Sequence, residues 1–231
     1  MIYFFTGAGV SADSGIPTFR DAGGLWEQFR PEEVCGFSNF MASADNRKNA
    51  FAFHNKLKND FRDAKPNEGH YAIADLEKRM PVTVYTTNVD MLHEQAGSSK
   101  VIHLHGSMTE MNCTSCGFYW DIGAAPFEPC DCPACGGSTG KPGGVFFGEL
   151  APRYHDLMRS MLSMTSDDIL IIVGTSLMVV NPISMLRRLG KFGIPRIMFV
   201  DKNLPYEVTL PGVEGYQGPS AEVLPKLLVT L

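Results

Sequence analysis

Short apolar runs rich in β-branched residues recur along the chain at residues 2–6, 82–87, 101–105, 169–175 and 197–201, and most of them end in Gly, Asn or Asp. Runs of that length and composition predict strands buried on both faces. Between them, residues 69–79, 89–96, 153–164 and 182–190 place apolar side chains at helical spacing. Strands alternating with helices in this way predict an α/β fold built on a parallel sheet.

Two stretches break the alternation. Residues 26–65 read as helical, with Phe37, Phe40, Met41, Phe51, Phe53 and Leu57 supplying apolar faces, and offer no strand. Residues 108–144 are crowded with Cys, Gly and Pro and have almost no helical period. Both are expected to be insertions that together form a smaller lobe, leaving residues 1–25, 66–107 and 145–231 for the large domain.

Composition narrows the function. With 231 residues, 44% of them hydrophobic, the chain is long enough for a sizeable core. Its net charge of -5, with no long run of Lys or Arg, argues against nucleic acid as a partner. No apolar run is long enough to span a bilayer and the first residues carry no basic leader, so a cytoplasmic protein without membrane attachment is expected.

Five of the six cysteines fall between Cys113 and Cys135, and four of them form Cys113-x2-Cys116, a gap of 15 residues, then Cys132-x2-Cys135. That is the spacing of two zinc knuckles, which in a reduced compartment takes precedence over disulfides. Four thiolates leave no open position for water, so one structural Zn is expected, with Cys130 spare.

Directly after the first run, Gly7-Ala8-Gly9-Val10-Ser11-Ala12 matches a dinucleotide fingerprint, whose glycines let backbone amides approach a pyrophosphate at a helix N-terminus. The other reading is a tight turn with no ligand. No second strand with a terminal acid follows; Ser14-Gly15-Ile16-Pro17-Thr18-Phe19-Arg20-Asp21 is loop-like, which disfavours a hydride-transfer unit. Later, Thr86-Thr87-Asn88-Val89-Asp90 and His103-Leu104-His105-Gly106 close two strands, the ends of a parallel sheet where ligands collect. A short amide and a carboxylate beside a histidine suit hydrogen bonds to a ribose and proton abstraction near neutral pH, although an H-x-H pair on one strand face also packs or binds metal.

The glycine motif with Ser14 to Arg20, followed by the later motifs in order, resembles the sirtuin family over almost the whole chain. The resemblance implies a Rossmann-like large domain, a small lobe with a helical insert and a zinc ribbon, and NAD-dependent removal of acyl groups from protein lysine. It implies that Gly7, Ala8, Gly9 and Ser11 hold the phosphates, that Ile16, Pro17, Phe19, Arg20 and Trp26 join the NAD site, and that Gly174, Thr175, Ser176, Asn203 and Ser220 hold the adenosine half. His105 takes the place of the catalytic base; Asn88 orients ribose and water, and Asp90 holds the nicotinamide amide. Thr87 departs from the family's usual Gln. Val145-Phe146-Phe147-Gly148-Glu149 resembles the acyl-lysine cleft, so Val145, Phe147, Gly148 and Glu149 are expected to touch substrate. Sirtuins that prefer acidic acyl groups carry a Tyr and an Arg three residues apart on a small-lobe helix. Counting back from Pro66-Asn67 puts Ala52 and Asn55 in those places, which predicts a preference for acetyl or longer apolar acyl groups.

Overall fold

The structure is a computed structural model that describes residues 1–18, 25–190 and 195–231. Six parallel strands, β1 (Ile2–Thr6), β2 (Val82–Thr86), β3 (Val101–His103), β7 (Ile169–Val173), β8 (Arg196–Asp201) and β9 (Val213–Gln217), form one sheet in the order β3-β2-β1-β7-β8-β9. Three short antiparallel strands, β4 (Glu110–Cys113), β5 (Tyr119–Asp121) and β6 (Gly140–Pro142), form a second sheet.

Alternation within the central strands divides the core. Phe5, Ile172 and Phe199 face α7 (Tyr154–Ser163) and α8 (Pro182–Arg188), packing with Leu157, Met161, Ile183 and Leu186. Phe4, Ile171 and Met198 face the other way, against Ile73 and Leu76 of α5 (Glu68–Glu77) and Leu224 and Leu227 of α9 (Ser220–Leu228). The two-residue period of a strand thus buries both faces, and the strands read as continuous apolar runs for that reason.

The helices α1 (Leu25–Gln28), α2 (Pro31–Cys35), α3 (Phe37–Ala42) and α4 (Ala44–Phe61) occupy the first departure from the alternation. Val34, Phe40, Phe51, Phe53 and Leu57 from these helices meet Met108, Met111 and Phe127 of the Cys-rich stretch, and Phe146, in a third core. The molecule is therefore a Rossmann-like sheet carrying a smaller lobe in which a helical insert packs on a cysteine-rich ribbon.

Several boundaries differ from expectation. The third strand stops at His103, leaving Leu104 and His105 in a turn, and the run at 169–175 stops at Val173. Two 3₁₀ turns, Ala8–Val10 and Ala12–Ser14, follow β1 where the fingerprint predicts a helix. A short helix, α6 (Leu92–Ala96), follows β2. Strand β9 and helix α9 are additions; β9 is a half-polar edge, and Pro225 lies inside α9. Among the described residues no helix is long and apolar enough to cross a membrane.

Candidate active site

The sheet changes direction of winding between β1 and β7, and a ligand crevice is expected at the carboxyl ends of those strands. A cavity of about 710 Å³ opens there. Its floor is two loops pressed together. Gly9 N–H donates to Gly174 O at 2.8 Å, and Gly7 N–H to Val173 O at 3.0 Å. A Cβ on Gly9 would stand 2.6 Å from Gly174 Cα, and one on Gly174, at φ +60°, 2.3 Å from Val10 N. The amides of Gly7, Gly9, Val10 and Ser11 all have backbone acceptors. These glycines are therefore required by the approach of one loop to the other, whereas the fingerprint suggested free amides for a phosphate.

Behind this floor, Asn88 Nδ2 donates to Ser11 Oγ at 3.1 Å, Ser11 Oγ donates to Asp90 Oδ2 at 3.0 Å, and the Leu92 amide donates to Asp90 Oδ1 at 3.1 Å. Burial raises the Asp90 pKa, opposed by these two donors. Asn88 lines the cavity while its Oδ1 is buried without a partner, an acceptor with nothing yet to accept. Ser220 Oγ, on the same cavity, is in the same condition. Two unsatisfied polar atoms and a glycine floor fit a polyhydroxylated dinucleotide such as NAD.

His103 donates from one ring nitrogen to Glu94 Oε1 at 2.8 Å and from the other to the Asn88 carbonyl at 2.9 Å. Burial alone would lower its pKa, but the Glu94 carboxylate and the Asn88 carbonyl raise it, and the ring, facing an acceptor at each nitrogen, clamps the Asn88 backbone. Two residues on, the turn after β3 brings His105 to the cavity wall, where Val145 N–H holds its carbonyl at 2.8 Å and Tyr154 Oη lies 2.7 Å from its Nε2. Gly106 follows at φ +80°, with room for no Cβ because Gly143 O would lie 2.1 Å away. Thr87 lines the cavity, but its hydroxyl is turned to the Thr6 carbonyl at 3.2 Å.

The cleft segment is fixed from both sides. Phe147 N–H donates to Cys35 O at 2.7 Å, and Phe147 O accepts from Phe37 N–H at 3.0 Å, so the segment joins the helical insert like an added strand. Lys141, fully buried, pairs with Glu149 at 3.0 Å and donates to Gly144 O at 2.6 Å. On α4, the expected acyl-channel pair does not face the cavity: Ala52 is exposed, and Asn55 exchanges two hydrogen bonds with the Phe127 backbone, at 2.9 and 2.7 Å. The helix instead presents Phe53, His54 and Leu57. His54 stacks on Phe146 with ring centroids 5.2 Å apart and bonds Ala50 O through Nδ1, and burial holds its pKa down to about 4.

In the ribbon, the sulfurs of Cys113, Cys116, Cys132 and Cys135 all lie within 4.8 Å of one another, with Cys113–Cys135 at 3.7 Å and Cys116–Cys132 at 3.8 Å. Four sulfurs about 2.3 Å from one tetrahedral zinc stand about 3.8 Å apart. Amides of Ser115 and Ala134 donate to Cys113 and Cys132 sulfurs, both at 3.4 Å, as in metal knuckles. Cys130 is exposed and outside the cluster.

Of the residues expected at the site, Gly7, Ala8, Gly9, Thr87, Asn88, His105, Val145, Phe147, Gly148, Glu149, Gly174, Thr175, Ser176, Asn203 and Ser220 all line the one cavity. Ser11 and Asp90 stand behind its wall; Ile16 is buried and Pro17 exposed, and neither lines it. Phe19 and Arg20 lie outside the described residues, as does the side chain of Trp26. Sequence reasoning missed Thr18, Cys35, His54, Tyr154 and Lys202, all on the cavity; of these only His54, at i−3 from Leu57 within an apolar stripe, carried a readable signal.

The Sir2 family model matches residues 7–182. NAD-dependent protein deacylase 1 of Archaeoglobus fulgidus is 39% identical over 228 residues, covering 96% of this chain and 89% of its own. Among solved structures, a Sir2 homolog–NAD complex superposes with a TM-score of 0.81 at 33% identity, covering 99% of this chain and 88% of that one. A Sir2 bound to acetylated peptide superposes with a TM-score of 0.75 at 26% identity, covering 100% of this chain and 92% of that one.

Proposed function

The chain belongs to the Sir2 family, and from that premise we propose that it is an NAD-dependent protein-lysine deacylase, releasing acetyl or other apolar acyl groups as 2'-O-acyl-ADP-ribose together with nicotinamide. The observation that carries the proposal is the continuity of the cavity. One cavity takes in Asn203 and Ser220, Asn88 and His105, and Phe53, His54 and Leu57, with the cleft segment in the same lining.

NAD, when bound, supplies a ribose carbon from which nicotinamide departs and a neighbouring hydroxyl that takes up the acyl group. Gly174, Thr175, Ser176, Asn203 and Ser220 hold its adenosine half, and Gly7 to Gly9 make the floor beneath its phosphates. Asn88 offers its unpartnered Oδ1 to a ribose hydroxyl, while its amide nitrogen is tethered to Ser11 and its backbone to His103. Asp90 acts through Ser11, keeping that tether oriented. His105 takes the hydroxyl proton at Nε2, the role of a general base. The acyl-lysine enters beside Val145, Phe147, Gly148 and Glu149, its acyl end toward Leu57. The proposal keeps residues 1–25, 66–107 and 145–231 as the NAD-binding domain, 26–65 as the helical insert and 108–144 as the ribbon, supported by the separate core of the smaller lobe. Cysteines 113, 116, 132 and 135 hold one structural zinc, which suits a reducing, cytoplasmic setting.

The test is to incubate the protein with NAD and an acetylated peptide and to weigh the small-molecule product. Acyl-ADP-ribose with peptide-dependent nicotinamide release supports the proposal. Nicotinamide release that ignores the peptide makes the protein an NAD hydrolase and ends it. His105→Ala is expected to lower product formation roughly 10²–10⁴-fold while NAD still binds.

A further inference from the structure

Tyr154 is the first residue of α7 and begins the inward stripe that continues through Leu157 and Met161 into the core beneath the sheet. At its start the helix runs past the edge of that core, so the ring borders the cavity while the rest of the stripe stays buried. Its hydroxyl stands 2.7 Å from His105 Nε2, with ring centroids 5.9 Å apart and the planes inclined by 42°. Burial pushes the phenol up to about 12, so it keeps its proton at neutral pH. Among the described residues His105 Nε2 is the hydrogen-bonding partner of that hydroxyl, and a ring nitrogen that accepts is unprotonated.

We infer that Tyr154 is a positioning residue for His105: its hydroxyl donates to Nε2, holding the imidazole as the neutral Nδ1–H tautomer with its basic nitrogen toward the cavity, until the substrate hydroxyl takes over that acceptor. This inference rests on the assignment of His105 as the base. The physical reason is one of preparation. A free imidazole places its proton on Nε2 more often than on Nδ1, and in that form the nitrogen facing the cavity has no lone pair to offer. The phenol donor reverses the preference before substrate arrives. A purely packing role for Tyr154 needs only the ring; the proposed role needs the hydroxyl, and Tyr154→Phe separates the two.

Two readouts test it. In protein labelled with ¹⁵N-histidine and free of NAD, with the His105 signals assigned through His105→Ala, Nε2 is expected to show the shift of an unprotonated nitrogen. In Tyr154→Phe that signal is expected to move toward the protonated shift. Wild-type protein with a protonated Nε2 overturns the inference whether or not the variant folds. In the second readout, Tyr154→Phe is expected to lower kcat for acyl-ADP-ribose formation about tenfold, the scale of one lost hydrogen bond. It should leave acyl-peptide-dependent exchange of labelled nicotinamide, which precedes the base, within about twofold of wild type. Equal loss of both reactions overturns the inference. Absence of any peptide-dependent nicotinamide release from wild type sinks instead the deacylase assignment, and the tautomer measurement stands apart from it.

Discussion

Gly174 occupies a left-handed conformation at φ +60° with the Val10 amide where a Cβ belongs, so the loop after β7 and the loop after β1 tolerate no side chain between them. Gly174→Ala is expected to destabilise the fold on the order of 2–4 kcal/mol through left-handed strain and the clash, and to weaken NAD binding at the same time; urea unfolding and a direct binding titration measure the two. Unchanged values for both mean that the loops separate freely. On the acyl side, His54 and Leu57 stand three residues apart on the face of α4 that meets the cavity, the spacing at which acid-preferring sirtuins carry Tyr and Arg. With its pKa held at about 4, His54 is neutral at pH 7 and cannot balance a carboxylate, and burying an unpaired carboxylate costs several kcal/mol. We expect kcat/KM for succinyl-lysine to fall below that for acetyl- and butyryl-lysine, and the double variant His54→Tyr, Leu57→Arg to raise the succinyl value. A wild-type preference for succinyl would mean that Lys141, paired here with Glu149, turns to the substrate. The expectation of an apolar preference rests on the sequence, but the residues of α4 that line the cavity did not follow from it. Counting back from Pro66-Asn67 assumes a fixed turn after α4, and an error of two residues on a helix rotates the answer from the buried face to Ala52 on the exposed one.

The ribbon carries its own prediction because its strands are too short to persist alone. Cys132→Ser is expected to release zinc and unfold the small sheet, since a structural zinc contributes on the order of 10–16 kcal/mol of apparent binding energy. Cys130→Ser should keep one metal per chain. Metal analysis of the two purified variants checks this, and zinc loss in the second would exchange the ligand assignment. This element was legible almost completely, because thiolate spacing is chemistry written directly into sequence. Strand β9 and helix α9 were not: Val213–Gln217 alternates too weakly for a strand reading, its outer edge being free to be polar, and Pro225 reads as a helix breaker. The turn that carries His105 was only half legible. The His-Gly pair marks the place, but the end of β3 at His103 and the intrusion of Gly143 into the space beside Gly106 come from contacts with a segment 37 residues further along the chain.

Across the whole molecule, three buried histidines set the response to acid. Burial holds His54 and His70 down to about 4 and His93 well below its ordinary value; His70 and His93 lie with ring centroids 4.9 Å apart. The unfolded chain, with histidines near 6.5, binds more protons than the folded one between pH 6.5 and 4, so stability is complete above 6.5 and is lost as pH falls toward 4. His54 and His70 together are expected to withdraw about 4 kcal/mol by pH 5. His103 and Asp90, whose pKa values are raised, work in the opposite sense but are outnumbered. Urea midpoints measured from pH 7.5 to 5 should fall steadily, and a flat profile would mean that these rings meet water. The cleft segment leads to a last consequence, one of interchangeability. Residues 143 to 149 are bonded to the ribbon through Glu110 and Lys141, to the turn of His105 through Val145, and to the helical insert through Cys35 and Phe37. Neither insert is therefore a detachable module. A chimera that exchanges residues 108–144 with those of a relative cuts through this junction, whereas one that transplants 108–149 together with 35–37 carries the whole splice, and only the second should preserve the cleft in the recipient.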